Sequence, residues 1–580
     1  MSFSVIRSIA YSSLATSQVQ MSVAASNIAN ADTDGYTRKT ATQASVVSGQ
    51  VGTGVTVTAV TGTVDKYLLK DLVTATSELS AATIADSYGT RAQSLLGSTS
   101  GSDDSGTSIA NTIADLESSI AQLSGTPESQ TLKAVTVDAL DSVATQLRET
   151  SAGIQSLRAD ADDAIDTSVD TINDALNTIA DLNSQITSAA ARGESTADLE
   201  DQRNTALQTL SGQMDVTYFV NSDNQMRVYT SGGTTLVDGK AHELSYASAS
   251  TVTAETVFGA ISVDGKDITT QITSGTVGAL IDQRDEVLPA AQDELDQLAA
   301  GLIDALNAVH NEGTSSPPPS SLTGSASVSS TDSFSASGTT RFAVTDSDGN
   351  LVASADLDLS AYSTVGDLAS AIDAIDGLSA SIDADGHLVI AAEDSSNGVA
   401  IADLTASVGS SGQGLADYFG LNDLLTGSGA ADIRVKADIL ATPGLLATAA
   451  LSTDASLTLG SQVVSTGENG IAASLSDALT GETSFAAAGR LSATSLSFAD
   501  YASSIVADIA STASSASSTL TARETTKETL ANAIASQSGV NIDEETARVS
   551  ELEQQYSTAA QLLEVLNAMF DALLSAAQSA

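Results

Sequence analysis

The stretch SGVNIDEETARVSELEQQYSTAAQLLEVLNAMFDALLS, residues 538–575, decides how the rest of the chain is read. From Val549 apolar side chains recur at alternating steps of three and four, to just beyond the stretch: Val549, Leu552, Tyr556, Ala559, Leu563, Leu566, Phe570, Leu573 and Ala577. That spacing marks one face of an α-helix, and Leu562, Val565, Met569 and Leu574 widen it. Ser538–Gly539 breaks a preceding helix. Asp543 is placed to cap the next one, and Glu544 and Glu545 suit the positive end of its dipole. About 36 residues would span ~54 Å. The stripe runs almost to the last residue, where a terminal segment frays unless something docks on it. This helix therefore needs a partner.

The opposite end of the chain offers one. Residues 3–31 predict a helix with Phe3, Ala10, Leu14, Met21, Ala24 and Ile28 on one side, interrupted by Arg7 and Ser17. It ends in the turn chemistry of ANADTDGY, 29–36. The pattern allows two readings: an intramolecular pair of terminal helices, or termini that also pack against other subunits.

Between these ends lie several units. VVSGQVGTGVTVTAVTGTV, 46–64, is strand-like. A helical run covers 65–96, a polar loop 97–108, and a nearly unbroken helix about 126–191, with Pro127 in its first turn. Ile165, Val169, Ile172, Leu176, Ile179 and Ile186 form a near-heptad stripe. After Gly193 a partner helix with Leu199, Ala206, Leu207 and Leu210 completes a hairpin. Short strands are predicted at 216–220, 226–230 and 234–244, and a further helix at 279–310. SSPPPSS, 315–321, reads as a linker. Beyond it RFAVTDSDGNLVAS and SASIDADGHLVIAA each read strand–turn–strand, with a short helix at 364–375 between them. Helix resumes over 498–536. The expected division is 1–64, 65–313, an inserted α+β domain at 314–432, a return segment at 433–497, and C-terminal helices at 498–580. The expected fold class is mainly α with β-rich projecting domains.

Composition narrows the function classes. The 580 residues carry a formal net charge of -50 with no Cys and no Trp, and aromatics make up 3%. So acidic a chain is a poor partner for nucleic acid or anionic membrane. Without Cys there is no disulfide scaffold and no thiolate metal site. No uncharged apolar run reaches ~18 residues, so no membrane span is expected. No cleavable secretory signal is expected at the start of the chain. His242, His310 and His387 are scattered, without a His-Glu-x-x-His motif, and there is no phosphate-binding P-loop. The Asp346–Gly349 and Asp383–Gly386 segments read as hairpin turns because neither has the closing Glu of a Ca²⁺ loop. Asp160, Asp162, Asp163 and Asp166 read as a solvated helix face, and Arg203 and Arg284 as ion-paired helix joints. The expectation is no catalytic residue, no cofactor and no metal.

Charge is unevenly spread. Residues 1–70 hold Arg7, Arg38, Lys39, Lys66 and Lys70 against Asp32, Asp34 and Asp65, whereas 313–432 holds sixteen acidic residues against Arg341 alone. Acid thus collects on segments expected to face solvent. Glu551, Glu553, Glu564 and Asp571 are expected to face N-terminal basic groups or water.

SNIANADTDGYTRK, 26–39, resembles the signature of the bacterial flagellar axial proteins (rod, hook and hook-associated), with Ser26 and Asp34 as departures and Gly35 and Tyr36 retained. Residues 182–211, with Leu199, Asp201, Gln202 and Arg203, are similar to a helical hairpin of the hook-associated members. Residues 281–313, with Leu288–Pro289, Asn307 and His310, resemble the helix that follows it there. Residues 538–575 resemble their C-terminal domain. No resemblance is claimed for 322–432.

The resemblance implies a structural, self-assembling subunit joining hook to filament, with both termini in a coiled-coil core. It also implies export through the flagellar type III apparatus. The implied partners are further copies of the chain, the hook subunit, a second hook-associated protein, and a cytoplasmic export chaperone at the C-terminal helix. The implied assembly residues are Phe3, Leu14, Met21, Ile28, Gly35 and Tyr36 at the N-terminus. At the C-terminus they are Val549, Leu552, Tyr556, Leu563, Leu566, Phe570 and Leu573, which would also bind the chaperone. Another axial protein, a hook subunit or flagellin, is the near alternative, and a secreted adhesin or an enzyme with an inserted domain is more distant.

Overall fold

A computed structural model describes residues 3–48, 51–97 and 108–579. Most of the expected loop 97–108 lies outside the described residues. Helix α1 (Phe3–Ala29) leads into an antiparallel hairpin of β1 (Lys39–Ser48) and β2 (Val51–Gly62). Helix α2 (Lys66–Leu96) starts at Asp65, whose carboxylate accepts the Tyr67 and Leu68 N–H groups at 2.8 and 3.3 Å. Helix α3 (Ile109–Gly125) follows, and Pro127 falls in the turn after it rather than inside the next helix. That helix, α4 (Gln130–Arg192), starts at Ser129, whose hydroxyl accepts from Leu132 N.

The 63 residues of α4 span ~95 Å. Val137, Leu140, Leu147, Ile154, Ala161, Ile165, Ile172 and Ile179 line one buried face of it. It ends at Gly193, at φ 75°, where the left-handed backbone favours glycine. Helix α5 (Ala197–Gln213) folds back along it as the predicted hairpin.

A sheet of β3 (Val216–Val220), β4 (Met226–Thr230) and β5 (Thr235–Val237) caps this hairpin. The third strand is much shorter than predicted because the chain turns at Asp238–Lys240. Helix α6 (Gly275–Asp282) joins through one wide π turn to α7 (Leu288–Asn311), so the helix expected from 279 begins earlier and is interrupted.

The insert holds strands 321–327, 339–345, 351–358, 378–382, 387–392 and 398–403, with α8 (Val365–Asp373) and α9 (Leu415–Phe419). Both predicted Asp-Gly hairpins are present, pairing 339–345 with 351–358 and 378–382 with 387–392. The insert has its own core around Phe342, Leu368, Ile372, Ile390, Val399 and Phe419. The return segment contains α10 (Ala437–Ala441) and α11 (Gly470–Thr480). It also lays Ala449, Leu451, Val463 and Val464 against Ala343, Leu351 and Ala400 on the outer face of the insert sheet.

SSPPPSS is not a free linker. Pro319 O accepts from Val399 N at 2.7 Å, Ser320 O from Ala392 N at 2.9 Å, and Thr314 N donates to Ala449 O at 2.7 Å. The proline segment is therefore paired into the insert at Pro319 and Ser320 and to the return segment at Thr314.

Helix α12 (Phe498–Ser538) returns along α2, and α13 (Ile542–Gln578) returns along α1. One continuous core unites α2 to α7, α11 and α12 through Ile113, Leu140, Leu295, Leu302, Leu475 and Phe498. By length and composition alone, one stretch within Phe498–Ser579 is apolar enough to cross a membrane, with mean hydropathy 1.2 over an 18-residue window. This corrects the expectation that none qualifies. The rule of an uncharged run overlooks a stripe in which single acids such as Glu564 and Asp571 interrupt many Leu and Ala residues.

Candidate assembly site

Three of the quoted motifs meet at one point. Asn27 at the end of α1 is fully buried and uses its whole amide. Its Oδ1 accepts from Tyr36 OH and Lys39 N, both at 2.9 Å. Its Nδ2 donates to Lys39 O at 2.9 Å and to Glu545 Oε2 at 3.1 Å. The other oxygen of Glu545 accepts from Arg38 Nε at 2.6 Å, and Arg38 N donates to Ser538 O at 2.8 Å. Glu545 is 2% exposed, so a carboxylate is held out of water by two hydrogen-bonded partners, one of them a cation.

On the other side, Asp201 of the Leu-x-Asp-Gln-Arg element accepts from Thr37 N at 2.9 Å and Thr37 Oγ1 at 2.8 Å, and pairs with Lys39 Nζ. Lys39 Nζ also donates to Ala197 O at 3.2 Å and sits over the Tyr36 ring. Burial pushes the Tyr36 hydroxyl pKa up, keeping it a neutral donor to Asn27. Gly35 has φ 76°, and its missing Cβ leaves room for the Thr205 hydroxyl of α5. The turn 35–39 thus ties α1, α5 and α13 together.

From this node α1 and α13 run antiparallel. Ala24 lies by Glu545 and Arg548, and Ile9 and Ala10 lie by Thr558 to Val565. The buried line of α1 is Ala10, Thr16, Ser17, Gln20, Ala24 and Asn27. Ser17 therefore lies on the covered face rather than interrupting it, because small residues let the helices approach. Leu14, Met21 and Ile28 are half-buried, and Phe3 is 40% exposed. On α13 the covered line is Leu552, Ala559, Leu563 and Leu566, with Val549 half-buried.

The rest of the predicted stripe is bare: Tyr556, Leu562, Val565, Met569, Phe570, Leu573 and Leu574 are 39–59% exposed. The four carboxylates Glu551, Glu553, Glu564 and Asp571 all face water. Asn541, not Asp543, caps the helix. Its Oδ1 accepts from Asp543 N and Glu544 N at 3.0 and 3.3 Å. Asp543 stands instead in the first turn.

Asn27, Thr37, Lys39, Asp201 and Glu545 are the residues that sequence patterning misses. The signal was the position of each inside a quoted motif, but one-dimensional spacing cannot show that three motifs converge. Two further expectations change. Asp162 is not solvated: it is 1% exposed, bonded to Tyr246 OH, to Ala249 N at 2.6 Å and to Arg284 Nη1 at 2.8 Å. Arg284 does form the expected ion pair and also stacks on Phe258 at 4.2 Å. Arg203 instead donates to neutral acceptors, Asn183 Oδ1 at 2.9 Å and Asn224 O at 2.6 Å. Among the described residues no three His, Asp or Glu side chains converge as a metal set. The arrangement can lock helices and present an apolar face; it holds no reactive constellation.

The profile of the flagellar hook-associated protein FlgK helical domain matches residues 99–318, and that of the flagella basal body rod protein matches 8–37. Flagellar hook-associated protein 1 of Escherichia coli is 26% identical over 580 residues, covering 98% of each chain. Along nearly its whole length the chain is similar to flagellar hook-associated protein 1.

The Salmonella typhimurium family member is also 26% identical, over 315 residues. That match covers 52% of this chain and spans only 56% of the relative's length. The flagellar hook junction protein FlgK from Burkholderia pseudomallei shares the fold, at a TM-score of 0.50 and 16% identity over 80% of this chain and 98% of that one. The flagellin hook IN motif matches 341–394, inside the insert for which the sequence suggested no relative. The hook-associated protein 1 family is a structural flagellar family and not an enzyme family.

Proposed function

We propose that the chain is the structural subunit that joins hook to filament in a bacterial flagellum, exported through the flagellar type III apparatus. The observation that carries this reading is the division of α13 into two faces. One is covered by α1 of the same chain, and a second, bearing Leu562, Val565, Met569, Phe570, Leu573 and Leu574, is bare. A contiguous apolar face on a soluble subunit marks an interaction surface. Burying it between subunits contributes about 25 cal/mol per Å² of apolar area.

In this reading the terminal pair forms a coiled-coil axial core with neighbouring copies, using Phe3, Leu14, Met21, Ile28, Tyr556, Phe570 and Leu573. An export chaperone covers the same α13 face before assembly. The hook subunit lies below and a second hook-associated protein above. The α4–α5 hairpin favours this junction role over that of a hook subunit or flagellin, since the helical-domain profile covers it.

Deletion of 546–580 tests the reading. The truncated chain should stay monomeric, and cells relying on it should shed unassembled filament protein into the medium. Normal swimming by such cells would overturn it.

A further inference from the structure

We infer that the β1–β2 hairpin is a second self-association surface, distinct from the terminal helices, and that its occupant is another copy of this chain. The inference rests on the assembly reading above. Residues 40–64 contain no Asp, Glu, Lys or Arg, in a chain whose net charge is -50 and whose charged residues make up 16%. Copies of so acidic a chain repel one another wherever their surfaces carry the average charge. A neutral ribbon is a place where they can meet without that cost.

The ribbon is also only partly covered. It is a sheet of two strands, one side of which rests on α1 while β1 keeps a bare outer part. Strand β2 lies against its own chain: Ser195 Oγ donates to Val60 O at 3.2 Å, and nearer the tip Val55 N donates to Ser12 Oγ at 3.0 Å on α1, against which Gly54 also packs. The outer part of β1 is not covered. Residues 42–48 of β1 are all exposed, and Val46, Val47 and Val51 are 41%, 60% and 46% exposed. Val46 faces Gly54 and Val47 faces Gly52 across the ladder, so neither valine has a side chain directly opposite it. A Cβ built on Gly52 would meet nothing within 4 Å.

Natural sheet edges are blunted with charged residues or proline, and Thr40–Val64 has neither. Two register shifts, at Thr42/Gln43 and Val46/Val47, twist the ribbon instead. They oppose open-ended strand addition and leave the valine–glycine tip as the contact.

The test uses the full-length chain exported onto flagella, with photoreactive benzoylphenylalanine in place of Val47. Irradiation of intact flagella should join two copies of this chain through position 47. The double variant Val47→Lys, Val51→Lys should keep its far-UV circular dichroism and melting temperature, because both sites are exposed, yet lose retention on flagella. A cross-link only to a different protein, no cross-link from chain that is present on flagella, or normal retention of the double variant would each overturn the inference. Absence of the unmodified chain from flagella would instead count against the assembly reading beneath it.

Discussion

Asn27 shows how much one side chain can organise. All four of its hydrogen-bonding groups are used, and they close the turn after α1 on one side and anchor α13 on the other. Replacing it with alanine leaves Tyr36 OH, Lys39 N–H and the buried Glu545 carboxylate each short of a partner. Asn27→Ala should therefore cost about 2 kcal/mol locally, seen as ~30-fold faster hydrogen exchange at Lys39 and in the first turns of α13. Unchanged exchange there would show that the node is incidental. At this scale the sequence was least readable. Gly35 and Tyr36 were recognisable as a motif, but the pairing of Lys39 with Asp201 and of Arg38 with Glu545 joins residues more than 160 positions apart. Asp162 misled for the same reason. Its neighbours Asp160, Asp163 and Asp166 are solvent-facing or half-buried, and only the arrival of Arg284 and Tyr246 from elsewhere in the chain makes its burial tolerable.

Elements were far more legible, because a helix or hairpin is decided by nearby residues. The Gly193 stop, the Ser538–Gly539 break and both Asp-Gly hairpins are local chemistry. Periodicity could not say which part of a stripe meets its own chain. Along α13 only Leu552, Ala559, Leu563 and Leu566 do so.

The end of α7 illustrates the next step, from element to joint. His310 is fully buried. Its Nδ1–H donates to Asn422 O at 2.5 Å, and its Nε2 accepts from Ala447 N at 2.9 Å, so it clamps Asn422 of the insert and Ala447 of the return segment to the end of α7. Burial lowers its pKa from 6.5 to about 4, aided by the nearby Lys436 and Lys133 cations. The fold holds the neutral ring while the unfolded chain takes up a proton below pH 6.5. The stability it contributes is therefore complete above that pH and lost as pH falls toward 4. Glu294 shifts the other way, to about 7 through burial, but this is common to any pair of variants compared. The stability difference between wild type and His310→Gln, from urea unfolding, should shrink by about 3 kcal/mol between pH 7 and pH 4. A difference independent of pH would contradict the buried neutral ring.

Across the whole molecule, charge follows exposure. The insert carries most of its acid at exposed positions such as Asp348, Asp376 and Asp394, whereas α1 and the β1–β2 ribbon carry only Arg7 and Lys39. Such a layout suits a subunit whose ends pack against other copies and whose middle faces solvent. The insert's attachment to Asn307, His310 and Asn311 of α7 makes it a fixed projection from the body. It is therefore a good reporter of where the subunit sits. The chain has no Cys, so Ser410→Cys at an exposed turn of the insert gives a single thiol for a gold label. Electron microscopy of intact flagella labelled in this way tests the central claim directly. The account predicts gold confined to one narrow band between hook and filament; label distributed along the hook or the filament, or absent from the flagellum, would contradict it.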